Sequence, residues 1–230
     1  MKILSFGAHP DDVEFGCGGL LIQEIQKGNR AKIVICSLGE AGTNGTPQVR
    51  KKEAAAAARL AGAEIEFINL GGDCRIEDTP KNAIKIAGII RKYRPEAVLA
   101  PEMQRNQHPD HYALAKLVHA ACRLARYGGI SELKKLATHK INALYFYPSR
   151  AEWSESPDIV IDVSSVKNLW EKTMSAHKSQ MKTKAYHDLV FTKAAAMGAS
   201  IGVKYAIGLW TNDPVRLGGL SDLPLSSRNY

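Results

Sequence analysis

The strongest constraint on this chain is an alternation. Apolar, strand-like runs at 2–8 (KILSFGA), 31–38 (AKIVICSL), 64–70 (EIEFINL), 97–101 (AVLAP) and 141–148 (INALYFYP) are separated by segments of helical periodicity at 18–28, 47–62, 79–95 and 111–126. A strand followed by a helix has room to cross back over the sheet, and such crossovers are right-handed. The pattern predicts an α/β fold: a Rossmann-like, mostly parallel sheet with helices on both faces. The boundaries carry their own signals. Gly28 closes the first helix, Pro47 and Gly62 bracket the second, and Thr79 with Pro80 opens the third. Beyond residue 150 the pattern is less regular. DIVIDVS (158–164) reads as an edge strand, 165–180 and 187–200 read as helical, and the tail DLPLSSRNY reads as irregular.

In an open parallel sheet, ligands collect beyond the carboxyl ends of the strands. Two His-Pro-Asp sequences fall there. HPDD places His9, Asp11 and Asp12 directly after the first strand, and HPDH places His108, Asp110 and His111 after the fourth. Either motif alone would serve as a turn or a helix start with a capping aspartate. Both together, on one rim, point to a metal site. His9 and Asp12 are three residues apart, which brings their side chains to one side of a turn. His111 supplies a third ligand from the other loop, and two imidazoles with one carboxylate suit a catalytic zinc that keeps an open position. Spacing favours Asp12 over Asp11 as the ligand without excluding the reverse. The carboxylate left over is placed to act as a base toward water. His108 is placed to protonate a leaving group or stabilise an oxyanion, and Asp110 to orient an imidazole.

Other features read more plainly. GCGG (16–19) lacks the spacing of a phosphate loop and predicts close packing of a helix on the sheet. GEAGTNGT (39–46) reads as a loop lining the substrate. Cys17 reads as a buried thiol, with a further metal ligand as the alternative. His177 fits a contact near the site or a helix surface equally well. His119 and His139 read as structural or exposed, and the alanine run at 54–58 as a helix face packed on the sheet.

Length and composition bound the rest. A chain of 230 residues suits one domain over 1–230. The four cysteines form no CxxC pair and suit a reduced compartment. No apolar run reaches membrane-spanning length, and the start lacks the apolar core of a signal peptide, so no membrane association and a cytoplasmic address are expected. The net charge of +8 is spread along the chain without aromatic interleaving. It implies a basic surface or an anionic small substrate, with no nucleic-acid partner.

HPDD near the start and HPDH about 100 residues later resemble the LmbE-like, or PIG-L, zinc-dependent de-N-acetylases. The resemblance extends to GTNGTPQVRKKEA, AHKSQ (176–180) and IGVKYA (201–206). It implies that His9, Asp12 and His111 bind Zn2+ (Fe2+ being the other ion to consider), that Asp11 is the general base, and that His108 assists the oxyanion or the leaving amine. It assigns Arg50 to substrate binding. It implies deacetylation of an amino-sugar small molecule bearing N-acetylglucosamine, releasing acetate and free amine. The branch it resembles most makes bacillithiol and acts on N-acetylglucosaminyl malate, whose carboxylates would suit Arg50 as a bidentate partner. The family also suggests a homo-oligomer, with a hexamer as the expected size. Ile207 and the 102–107 segment depart from the family pattern and bear on the choice of substrate. The alternatives are a deacetylase of another N-acetylated glycan or antibiotic precursor, and a non-catalytic metal- or nucleotide-binding module.

Overall fold

The structure, a computed structural model, describes residues 1–104, 108–149, 156–182, 185–219 and 222. Parallel strands β1 (Lys2–Gly7), β2 (Arg30–Ile35), β3 (Glu64–Phe67), β4 (Ala97–Pro101) and β5 (Ala143–Tyr147) lie in the order β3-β2-β1-β4-β5. The sheet continues through β7 (Ala206–Thr211) to β6 (Ile159–Asp162), both paired antiparallel. In register, Lys2 faces Arg30 and Gly7 faces Ile35, while Leu4 faces Val98 on the other side. The mostly parallel α/β sheet expected from the alternation is present, and β6 is the edge strand expected at 158–164.

Alternate residues of the central strands feed two cores. Leu4, Phe6, Val34, Val98 and Ala100 pack under helices α3 (Pro80–Tyr93) and α4 (Pro109–Leu124). Ile3, Ile33, Ile35 and Leu99 pack under α1 (Asp12–Gln26), α2 (Pro47–Ala61) and α5 (Lys167–Met174), with Ala194 of α6 (Tyr186–Ala199) added at one side. Strand residues buried on both faces are what a sheet covered on both sides requires. The α2 alanines Ala54, Ala57, Ala58 and Ala61 are buried, as the alanine run suggested. Thr46 and Thr79 cap α2 and α3, their hydroxyls accepting from the N–H groups of Val49 and Asn82 at 3.3 Å.

Three elements differ from the sequence expectation. Helix α1 begins at Asp12 rather than residue 18, and Cys17 (φ −143°, ψ 16°) marks a kink between its two helical pieces. The apolar periodicity starts only after the kink, so the first turn was hidden behind the motif. Strand β7 was not anticipated. Residues 165–180 hold the short α5 and the turn at His177, flanked by 3-10 turns at Ser164–Val166 and Gln180–Lys182.

The GCGG segment is close packing, as expected. A Cβ on Gly16 would collide with the Tyr147 ring and lie 2.8 Å from the carbonyl of Pro148, and one on Gly19 would lie 2.9 Å from Trp170. Cys17 is a buried thiol, 3.7 Å from the Ser5 hydroxyl. Ile207 is a buried β7 residue in the core beneath α1 and α5, not a rim residue. Among the described residues no helix is long and apolar enough to cross a membrane. The 102–107 departure lies partly, and the tail after Asp222 wholly, outside the described residues.

Candidate active site

Four parallel strands deliver loops to one rim, and the sequence-predicted residues converge on it. His9 follows β1 by two residues. Asp11 caps α1 in the left-handed region (φ 112°), which turns the chain sharply enough for Asp12 to open the helix and look back at His9. Asp12 Oδ2 accepts the His9 backbone N–H at 2.9 Å and lies 3.5 Å from His9 Nδ1. His111, in the first turn of α4, brings Nε2 to 3.1 Å from Asp12 Oδ1. One donor atom each from His9, Asp12 and His111 thus lies within 4.8 Å of the other two.

The opposite nitrogen of His9 is held too. Nε2 lies 3.2 Å from Asp110 Oδ2 and 3.0 Å from Asp73 Oδ1. Asp110 is itself fixed, accepting the backbone N–H groups of Cys74 at 2.8 Å and Ile76 at 3.2 Å. A ring whose Nε2–H is given to carboxylates presents Nδ1 as its lone-pair face, as an imidazole ligand requires. Residues 9, 12 and 111 therefore fit a divalent ion by donor type, convergence and supporting hydrogen bonds. The surrounding charge fits as well. Burial disfavours a charged His9, yet Asp12, Asp110 and Asp73 outweigh it and push its pKa up to about 12, so the pocket is a well for positive charge. Burial also opposes ionisation of Asp12, but His111 and His9 hold it well below the usual carboxylate range.

Asp11 behaves in the opposite way. Burial and the neighbouring Asp12 charge raise its pKa to about 6, while Arg50, His177 and His9 pull it down. Two adjacent carboxylates are thereby split into one that is firmly ionised and one that can trade a proton near neutrality. Arg50 is 6 % exposed and donates to Gly39 O at 3.2 Å, Pro10 O at 2.9 Å and Asp11 Oδ2 at 3.4 Å. Both of its terminal nitrogens are already engaged. Arg50 braces the Asp11 turn against the 39–46 loop.

His108 is the N-cap of α4. Its Nδ1 accepts the Asp110 N–H at 3.4 Å, and its Nε2 lies 3.4 Å from Asp73 Oδ1. Burial and the charges of His9 and His111 lower its pKa, so the ring is neutral at neutral pH. Its centroid is 4.2 Å from that of His9 and 5.3 Å from that of His111. His177 is not a surface residue. It is 1 % exposed, with Nε2 3.5 Å from Glu14 Oε1.

Three residues escaped the sequence reading: Asp73, Cys74 and Glu14. Asp73 and Cys74 sit in GGDCR after β3, whose carboxyl end shares the rim with β1 and β4. The topology alone could have flagged that loop, because a parallel β3 must end on the same side.

A solved structure from Thermus thermophilus, that of the conserved protein TT1542, is 31% identical, superposes with a TM-score of 0.84 and covers 94% of this chain and 96% of its own. A 4-oxalmesaconate hydratase of Pseudomonas putida is 26% identical over 189 residues, 75% of this chain and 70% of the relative. A probable N-acetyl-alpha-D-glucosaminyl L-malate deacetylase 2 of Bacillus cereus is 26% identical over 186 residues, 75% of this chain and 80% of the relative. The family described as PIG-L, GlcNAc-PI de-N-acetylase, matches residues 4–122, the segment from β1 into α4 that carries both His-Pro-Asp motifs. This chain belongs to the PIG-L deacetylase family.

Proposed function

We propose that the protein hydrolyses the acetamide of a small molecule bearing N-acetylglucosamine, giving acetate and a free amine, with N-acetylglucosaminyl malate as the leading substrate. The observation that carries this reading is the pairing of the His9–Asp12–His111 triangle with a neighbouring carboxylate whose pKa is raised to about 6. A divalent ion held there, zinc in this proposal, supplies Lewis-acid polarisation of the acetamide carbonyl and makes water more acidic. The chain's own groups do the rest. Asp11, ionised above its raised pKa, takes a proton from the attacking water and returns one to the departing nitrogen. His108, through Nε2–H, hydrogen-bonds the oxygen on which charge develops. Water adds to the carbonyl carbon, the C–N bond breaks, and acetate and amine part. Arg50 keeps Asp11 pointed inward, and Asp110 keeps His9 turned.

Support for the malate conjugate comes from the Bacillus cereus relative and from the likeness of the 42–54 segment to that branch. A second reading is favoured by the Pseudomonas putida hydratase, since adding water to an unsaturated acid would use the same base. The test is a panel of N-acetylglucosaminides, including the malate and chitobiose conjugates, with an unsaturated tricarboxylate as the hydratase arm. Acetate and free amine released in equal amounts, and abolished by chelator, support the proposal. Hydration of the unsaturated acid with no acetate released would overturn it. The proposal includes assembly as a homo-oligomer in the cytoplasm, the former checked by light scattering.

A further inference from the structure

Most of the chain's excess positive charge is gathered at the end of the sheet remote from the site. Residues 91–96 and 123–142 hold eight lysines and arginines against two glutamates, an excess of six in a chain whose net charge is +8. Lys92 and Arg94 stand at the end of α3, and Arg123 and Arg126 at the end of α4. Lys134, Lys135 and Lys140 lie in the connection from α4 to β5. Hydrogen bonds bring these three pieces onto one face: Arg94 Nη1 donates to Thr138 O at 3.3 Å, and the His139 N–H donates to Ala125 O at 2.9 Å. All seven of these side chains are exposed, and among the described residues none of them is paired with a carboxylate.

The face is built around an eighth cation. Arg91 is 4 % exposed and, among the described residues, donates only to backbone carbonyls: Leu133 at 2.9 Å, Ala125 and Leu136 at 3.0 Å, with Leu124 and Tyr127 beside them. It holds the connection in a fixed shape, and no carboxylate offsets its charge. The two glutamates are turned to other partners, Glu96 to the Lys2 N–H and Glu132 to the Ser131 hydroxyl at 2.7 Å. Elsewhere on the surface cations do pair: Lys27 with Glu24 at 2.9 Å, Arg30 with Glu64 at 3.0 Å, Lys167 with Glu171 at 2.7 Å. Cations in the last turn of a helix answer its dipole, which accounts for Lys92 and Arg123. Lys134, Lys135 and Lys140 lie outside the α-helices and have no such reason.

We propose that this face docks the protein on an anionic membrane surface through lipid headgroup charge. The five residues of β4, roughly 15 Å of strand, separate it from the rim, so it does not serve a substrate held at His9 and Asp12. Helix ends and a loop point outward here, not a helix side or a strand ribbon, so nothing is shaped to enter a nucleic-acid groove. A lipid surface needs no groove, and each lysine or arginine brought to it adds attraction. Tyr127 is 47 % exposed, and its hydroxyl accepts from Arg123 Nε at 2.9 Å. An amphipathic ring among cations suits the headgroup layer. Gly128 and Gly129 follow, with no side chain to hold the loop off a surface. Like charge keeps a second copy of the chain from this face. Expecting no membrane association rests on the lack of a spanning helix among the described residues, and adsorption through charge needs none. Docked this way, the rim faces away from the bilayer and stays open to a small molecule in solution. None of this depends on which reaction the site performs.

The test is sedimentation of the full chain with phosphatidylcholine vesicles, with and without phosphatidylglycerol, at low, physiological and high salt. Wild type should bind only the vesicles that contain phosphatidylglycerol, and high salt should release it. The double variant Lys134→Ala, Lys135→Ala should bind about 25-fold more weakly, at about 5-fold per cation, and Arg126→Gln, on the neighbouring turn, about 5-fold more weakly. The double variant Lys51→Ala, Lys52→Ala removes the same charge from the exposed side of α2 and should bind as wild type does. No binding to phosphatidylglycerol vesicles at low salt, or equal losses in the two double variants, would overturn the proposal. So would duplex DNA or RNA that stays bound at physiological salt while the vesicles do not, which would make the face a nucleic-acid surface.

Discussion

His177 and Glu14, each about 1 % exposed, face one another at 3.5 Å behind the turn that carries Asp11. The pair joins the AHKSQ segment to the first turn of α1. Its partners continue outward: Ser179 donates its N–H and hydroxyl to Glu53 of α2 at 2.8 and 2.6 Å, and Gln180 reaches the Asn44 carbonyl at 2.8 Å. The segment therefore closes the back of the site and braces the 39–46 loop.

This pair makes stability depend on pH. Burial disfavours a charged His177, but Glu14, Asp11 and Glu53 overcome it and hold its pKa above the ordinary 6.5. A group whose folded pKa is raised adds stability that is full below its unfolded value and lost as pH climbs through the folded one. Thermal midpoints of wild type should therefore decline as pH rises from 6.5 upward, and Glu14→Gln should flatten that decline. Glu14→Ala, which leaves a buried imidazolium without its partner, should cost about 3–5 kcal/mol at pH 6. A Glu14→Gln profile parallel to wild type would disprove the assignment.

Asp11→Asn should lower acetate release by roughly 10²–10⁴-fold while leaving the ion bound, because the amide fills the same space but takes no proton. Asparagine also tolerates the left-handed backbone of position 11, so the variant should fold. Atomic absorption on the purified variant checks the ion content. Equal loss of ion and of activity would make Asp11 a ligand, not a base.

Asp110→Asn turns one acceptor oxygen into a donor among three N–H groups, those of His9, Cys74 and Ile76. His9 should lose its fixed tautomer, and affinity for the ion should fall by about 10–100-fold in a chelator competition. Affinity equal to wild type would show that Asp73 alone orients the ring.

Gly16→Ala puts a methyl group into the Tyr147 ring and against the Pro148 carbonyl. Tyr147 cannot retreat easily, since its hydroxyl donates to Phe6 O at 2.7 Å in the core. Overpacking of this kind costs about 1–3 kcal/mol, to be read from urea denaturation. Gly28→Ala, with nothing within 4 Å but φ at +87°, separates backbone strain from collision.

Much of this architecture was legible because its signals are local. A strand followed by a helix declares a parallel crossover in a few dozen residues, and the two His-Pro-Asp motifs announce a candidate site through spacing and placement, while the choice of Asp12 over Asp11 came from family resemblance. What stayed hidden depends on distance. Strand β7 (Ala206–Thr211) carries no local mark of its place between β5 and β6. Asp73 has no motif, and its meaning comes from β3 lying parallel to β1. Arg50 sits where family resemblance points, yet its hydrogen bonds to Gly39 and Pro10 are visible only in three dimensions. Glu14 shares the HPDDVE stretch with the candidate metal ligands, but its pairing with His177 separates its task from theirs.

The placement of β7 has a consequence for how the chain is made. Because β6, among the described residues, pairs with β7 and β7 bridges it to β5, a nascent polypeptide emerging N-terminus first has both His-Pro-Asp motifs of the rim translated about a hundred residues before its far edge can be sealed. Until residue 211 leaves the ribosome, the outer side of β5 stays open to any passing strand. The interval between a completed set of rim residues and an unfinished flank is when this chain is most exposed to misassembly.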